Sequence, residues 1–328
     1  MKLMKKLIMV AVLIIFVPAF LLASGGEKDA GMERQTVVLL ILGTQTPYCP
    51  PYVSNFTTKL NEVGIGTFVF DAKFDAALQA SQMDDAIAMQ PDLICLFALD
   101  SAGMAPGIKK SYDAGVPVMM INNRSLPESE KYTLLYAGPD VYQEGQAAAE
   151  LMNEVLGGRG NVVMIEGATG QEAQLKRANG FTDRLQELNS DINVIARQTA
   201  GWRKDLAVQV MQDFIVRYGD EIDGVYAQDD TMAIGVWVAM DEAGFAPGAV
   251  PIVGIGGSRE GLAAIDDGIQ YATVMQSPIV ETDLVVDFVI KVLDKGMEPG
   301  DQWDPYLNYM DLPRVTKANV EQYLPGDW

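Results

Sequence analysis

From Thr36 onward, short apolar runs alternate with longer amphipathic stretches, and this rhythm constrains the fold more than any other feature of the chain. Apolar runs bounded by turn residues suit strands buried on both faces, while apolar residues recurring every three or four positions suit helices packed by one face. Strands are expected over 37–42, 67–70, 93–98 and 118–121, separated by helices over 52–63, 75–89 and 106–114. A strand over 132–137 closes this round. The rhythm then repeats, with helices over 141–156, 172–188, 204–218, 232–243 and 259–267 between strands over 161–165, 192–196, 225–227, 252–255 and 271–275. Units of this kind build parallel sheets with helices on both faces. Two rounds predict an α/β protein of two similar lobes rather than one oversized sheet.

The last segment, a helix over 278–293 and an extended stretch over 303–310, is best used by packing back on the first lobe. The expected division is an N-terminal lobe of 26–138 plus 277–310, a C-terminal lobe of 139–276, and a tail of 311–328. Three crossings between the lobes follow, at 138–140, 276–277 and near Tyr309. Several parallel crossings act as a hinge on which lobes close.

Residues 1–25 read as an export signal. Lys2, Lys5 and Lys6 precede an apolar run over 7–23 broken only by Pro18, and Ala23-Ser24-Gly25 suits cleavage. The mature chain is thus expected outside the cytoplasm, periplasmic or extracytoplasmic, with an uncleaved anchor as the alternative. The chain holds 24 basic and 44 acidic residues, and the signal removes three lysines and no acid, leaving 21 against 44, or −23. Such a charge repels phosphate backbones, so nucleic acid is a poor partner and a soluble monomer is expected. With no histidine and two cysteines there is no zinc pattern, no cofactor is expected, and Ser-His-Asp or Cys-His catalysis is excluded. Cys95 lies within an apolar run, where a buried free thiol is expected, although an exported chain permits a disulfide with Cys49.

Ligands of open α/β sheets bind outside the carboxyl ends of the strands, and five such ends carry polar or aromatic residues here. Asp229 and Asp230 follow one strand, with Asp230 expected to cap the helix and Asp229 to face the crevice. The loop over 43–52 holds three prolines with Tyr48 and Tyr52, stiff and presenting ring faces. Asn122, Asn123 and Arg124 follow the fourth strand. Trp202 stands at a loop-to-helix junction, and Gln276 follows the strand over 271–275. Together these groups offer aromatic faces and bidentate donors and acceptors, which suit a ring bearing hydroxyls. Asp140, at the first crossing, joins the candidate contacts.

The segments Tyr226-Ala227-Gln228-Asp229-Asp230-Thr231-Met232-Ala233-Ile234-Gly235 and Arg177-Ala178-Asn179-Gly180-Phe181 resemble the ribose- and galactose-type sugar-binding proteins of ABC importers, the type I periplasmic binding proteins. The resemblance covers nearly all of the mature chain. It implies a closed-cleft receptor that hands a sugar or polyol to a membrane permease. By position it implies Asn123-Arg124 for the usual Asp-Arg pair and Pro51-Tyr52 for the aromatic pair of the first loop, with Tyr48 as the second ring. It further implies Trp202 as the stacking ring of the second lobe, Asp229 as acceptor and Gln276 as the hinge-side amide. Two positions depart: an arginine expected after Gly170 is Leu175, and the usual acid is missing from Gly254-Ile255-Gly256-Gly257. These departures point to a different sugar, a linear polyol, a cyclitol or a less polar signal molecule.

Three other functions fit the same residues. A ligand-sensing receptor would use the same cleft and pass occupancy to a chemoreceptor or sensor kinase. An amino acid could place its carboxylate on Arg124 and its ammonium on Asp229. An enzyme would need Asp229 and Asp230 as an acid/base pair facing one substrate.

Overall fold

The computed structural model describes residues 34–328, and the export segment expected over 1–25 lies outside the described residues. The first sheet is built from β1 (Thr36–Ile41), β2 (Gly66–Asp71), β3 (Leu93–Leu96), β4 (Val118–Ile121), β5 (Tyr136–Gly138) and β11 (Leu307–Tyr309), in the order β2-β1-β3-β4-β5-β11. The second contains β6 (Arg159–Glu166), β7 (Asp191–Thr199), β8 (Gly224–Ala227), β9 (Ile252–Gly256), β10 (Ala272–Met275) and β12 (Arg314–Thr316), in the order β7-β6-β8-β9-β10-β12. The two orders match strand for strand. All pairs are parallel except β10 with β12.

Strand periodicity sorts each core. Val37, Leu39 and Ile41 face α1 (Cys49–Glu62) and α9 (Pro278–Lys295), packing with Phe56, Leu60 and Val289. Val38 and Leu40 face the opposite side, against Met83 of α2 (Ala76–Ala88) and Ile108 of α3 (Ser101–Asp113). In the second half Val163 and Ile165 pack on α6 (Lys204–Tyr218) and α7 (Asp230–Glu242), whereas Val162 and Met164 pack on α4 (Val141–Leu156) and α5 (Glu172–Glu187). Side chains alternate across a strand, so a run buried on both faces must be apolar throughout, as these are.

The chain passes between the sheets after β5, after β10 and between β11 and β12. Residues 311–328, expected as a tail, supply β12 at the edge of the second sheet and pack Val315, Val320 and Leu324 on Leu262 and Ile265 of α8 (Arg259–Asp266).

Several element boundaries differ from the sequence reading. Helix α1 starts at Cys49 because Pro50 and Pro51 occupy its first turn, where a missing N–H costs nothing. Helix α3 starts at Ser101 under an Asp100 cap and carries Pro106 inside it, where the sequence suggested a start. The strand expected over 132–137 is confined to Tyr136–Gly138, preceded by the 3-10 helix Pro127–Tyr132. Cys49 and Cys95 are both buried and free, and burial pushes the Cys49 thiol up to about 12.

Candidate functional site

Residues at the carboxyl ends of strands from both sheets line one cleft. From the first sheet come Thr46 and Tyr48 after β1, Phe97 after β3, and Asn122 and Asn123 after β4. The second sheet supplies Gln171, Ala173 and Arg177 after β6, Trp202 after β7, Asp229 after β8 and Gln276 after β10. The cavity volume is about 80 Å³.

Of the residues expected to meet a ligand, Tyr48, Asn123, Trp202, Asp229 and Gln276 line this cleft, and Tyr52, Arg124 and Asp140 do not. Tyr52 is fully buried, with its ring 6.1 Å from that of Phe97 and its hydroxyl without a partner. The cause is local. With Pro50 and Pro51 as the first turn of α1, Tyr52 falls on the same face as Phe56 and Leu60, which points into the core. Arg124 pairs with Glu130 at 2.7 Å and reaches the Tyr309 hydroxyl at 3.5 Å, while its backbone N–H donates to the Glu172 carboxylate of the second half. Asp140 is spent as the N-cap of α4, its Oδ1 accepting from Tyr142 and Gln143 N–H at 3.1 and 3.2 Å.

The aspartate pair also divides its work differently from expectation. Asp229 is the N-cap of α7, with Oδ1 accepting from the Met232 N–H at 2.7 Å, and it lines the cleft as well. Asp230 is fully buried and accepts from Ser258 N–H at 2.8 Å and Gln270 Nε2 at 3.0 Å. An acid/base pair acting on one substrate is therefore not formed. Burial pushes Asp229 up to about 7, against the Met232 hydrogen bond that lowers it.

Arg177 is the residue that sequence reasoning missed. Leu175, placed at the arginine position by resemblance, is 47% exposed, whereas Arg177 lies two residues on and faces inward with Ala173 and Phe181. The i, i+4 spacing of Ala173, Arg177 and Phe181 was the available signal. Arg177 donates from Nε to Glu144 at 2.7 Å, from Nη1 to the Gln228 carbonyl at 2.7 Å, and from Nη2 to Gln276 Oε1 at 2.6 Å. Its guanidinium also stands 5.6 Å from the Trp202 ring centroid, within cation–π range. One N–H on each terminal nitrogen remains for a ligand.

Behind Tyr48 lies the fully buried Glu281, which accepts from the Tyr48 hydroxyl, from Asn122 Nδ2 at 2.8 Å and from Gln276 Nε2 at 3.4 Å. Burial pushes its carboxyl up to about 7 although these donors oppose the shift. The network ties β4, the second crossing and α9 to the cleft floor.

Three lining groups hold a buried polar atom with no partner in the protein: Asn123 Oδ1, Gln171 Nε2 and Trp328 Nε1. The amide orientations are fixed by their other ends, since Asn123 Nδ2 donates to the Ala98 carbonyl at 2.8 Å and Gln171 Oε1 accepts from Trp202 Nε1 at 2.6 Å. Buried polar atoms are rarely left unpaired, so these three are the candidate partners on the lining residues for a guest's hydroxyls.

Residues 37–297 match the sequence profile of the family described as periplasmic binding protein domain. The chain belongs to that family. Among relatives of this periplasmic binding protein is the xylitol-binding protein of Mycolicibacterium smegmatis, 33% identical over 256 residues that cover 76% of this chain and 68% of that one. The ribose import binding protein RbsB of Bacillus subtilis is 25% identical over 252 residues, covering 76% and 79% of the two chains. In fold, a galactofuranose binding protein matches with a TM-score of 0.80 at 23% identity, over 88% of this chain and 96% of that one. The Caulobacter myo-inositol binding protein, bound to myo-inositol, matches with a TM-score of 0.80 at 22% identity, over 88% and 95%. Among the described residues no helix is long and apolar enough to cross a membrane.

Proposed function

We propose that this periplasmic binding protein captures a small polyhydroxylated solute, a sugar or polyol, between its two sheets outside the cytoplasm and delivers it to the membrane permease of an ABC importer. The observation that carries this reading is the set of cleft-lining residues, Asn123, Gln171 and Trp328, that hold buried, unpaired donors and acceptors alongside Tyr48 and Trp202. A hydroxyl both donates and accepts, so it can satisfy Asn123 Oδ1 and Gln171 Nε2 alike, while aromatic faces cover the C–H surface of a carbohydrate. A cavity of 80 Å³ holds on the order of five to eight waters at about 10–15 Å³ each, the scale of a five- or six-carbon polyol. The relatives named for xylitol and ribose support the same ligand class.

Asp229, Arg177 and Gln276 are assigned as hydroxyl anchors, Tyr48 and Trp202 as stacking faces. A thermal-shift screen over pentoses, hexoses, pentitols, cyclitols and amino acids tests the reading. At a hundredfold excess over Kd, a true ligand raises the unfolding midpoint by about 5 °C. Asp229→Asn keeps a good capping residue and is expected to weaken binding by about 10–100-fold, the value of a hydrogen bond to a charged group. A response confined to amino acids, or none from any hydroxylated compound, contradicts the proposal.

A further inference from the structure

The segment ending at Trp328 carries an indole into the cleft, where it joins Tyr48 and Trp202 on the wall. The ring stands edge-on to that of Tyr48, with centroids 5.4 Å apart and planes at 81°. It is held there from both halves of the fold. The Trp328 carbonyl accepts from the Arg259 N–H at 2.8 Å, and the neighbouring Asp327 carboxylate accepts from Ser277 Oγ at 2.5 Å at the second crossing. The room for the indole comes from Gly256, the last residue of β9, with φ at 138°. A Cβ there would stand 3.0 Å from Trp328 Cζ2. The ring's only polar atom, Nε1, is buried with no partner in the protein.

We propose that Trp328 is a ligand-contacting, specificity-determining residue: its indole closes one side of the cleft against Tyr48 and its Nε1–H donates to a hydroxyl of the bound solute. The proposal rests on the cleft being the solute site. A ring fixed by backbone and side-chain contacts at its base sets a length limit on the guest, and an unpaired indole N–H gives that limit chemical selectivity. Sequence reasoning took residues 311–328 as a tail and assigned Trp328 no role, because only the packing of 315–324 on α8 brings residue 328 to the cleft.

The test is isothermal titration of the full mature chain with xylitol, D-ribose, myo-inositol and the one-carbon-longer D-sorbitol. The proteins are wild type, Trp328→Phe, Trp328→Ala and Trp202→Ala. Trp328→Ala is expected to bind the best of these probes about tenfold more weakly, from the combined loss of aromatic contact and hydrogen bond. Trp328→Phe keeps a ring without the N–H and is expected to fall between the two. The xylitol-to-sorbitol affinity ratio is expected to narrow in Trp328→Ala, which a purely structural loss would not produce. The assignment is overturned if Trp328→Ala binds as wild type does while Trp202→Ala is weakened, an outcome that leaves the cleft itself standing. It is also overturned if all affinities fall with the ratio unchanged, or if Trp328→Ala binds more tightly, as removal of a competing plug would give. Absence of binding by wild type to every probe removes the cleft reading and this assignment together.

Discussion

Asp229 performs two tasks with one carboxylate: Oδ1 caps α7, and the group lines the cleft where it can accept from a ligand hydroxyl. Because burial holds it near pH 7, its charge changes within an accessible range. Affinity for a hydroxylated ligand is therefore expected to rise from pH 6 to pH 8 as the carboxylate forms, and to be flat in Asp229→Asn, measured by titration calorimetry in buffers of equal ionic strength. Glu281 gives a stability test of opposite sense. Its folded pKa of about 7 lies above the ordinary 4.5, so the neutral form is favoured by folding. That contribution is fully present below pH 4.5, declines as the pH rises, and is lost above pH 7. Its size is on the order of 3 kcal/mol. Chemical denaturation at pH 5 and pH 8 should show wild type losing stability toward pH 8, with part of that difference absent in Glu281→Gln and the rest retained through Asp229, which is raised to about 7 as well. Tyr52 separates core from site. Its buried hydroxyl has no partner, so Tyr52→Phe is expected to raise stability by about 1 kcal/mol and leave ligand affinity unchanged. A loss of affinity would return Tyr52 to the cleft.

At the level of elements, the wall that carries Arg177 depends on how closely α4 and α5 approach. Both contact points are glycines. A Cβ on Gly145 would stand 2.2 Å from the Arg177 carbonyl oxygen, and one on Gly180 would stand 2.1 Å from the Tyr142 carbonyl oxygen. Gly180→Ala must therefore push the helices apart, at a cost of about 3 kcal/mol, and shift Arg177 away from Glu144 and Gln276. Reduced stability together with weakened binding is expected, whereas Gly66→Ala, on β2 of the first sheet where an added Cβ meets only ordinary contacts of 3.5 Å or more, should not reproduce the pair of effects. These helices also show what could be read in advance. Their apolar stripes were legible because burial on one face forces a helical period. The starts of α1 and α3 were not, because Pro50 and Pro51 carry the same residue signal in a loop and in a first helical turn, and Pro106, which reads as a helix start, lies inside α3. That ambiguity turned Tyr52 from an expected stacking ring into a core residue.

For the molecule as a whole, the doubled strand order follows from periodicity, and the strand ends that hold Tyr48, Asn123, Trp202, Asp229 and Gln276 follow from where polar residues interrupt apolar runs. What the sequence could not display is which side chains cross from one half to the other. Gln276 on the second crossing links Arg177 of the second half to Tyr48 of the first, and the Arg124 N–H reaches Glu172. These bonds pair residues far apart in the chain and leave no local trace. They also make closure measurable. Removing the Glu172 acceptor in Glu172→Ala should enlarge the radius of gyration of the unliganded protein in small-angle scattering, and saturating ligand should restore the compact value.

One small hydroxylated molecule is proposed to sit between the two sheets. A crystal structure with the strongest hit of the thermal screen tests it most directly. Hydroxyls are expected within hydrogen-bond distance of Asn123 Oδ1, Gln171 Nε2 and Asp229, with the Tyr48 and Trp202 rings against the ligand. A ligand bound elsewhere on the molecule, with those three atoms still unpaired, would contradict it.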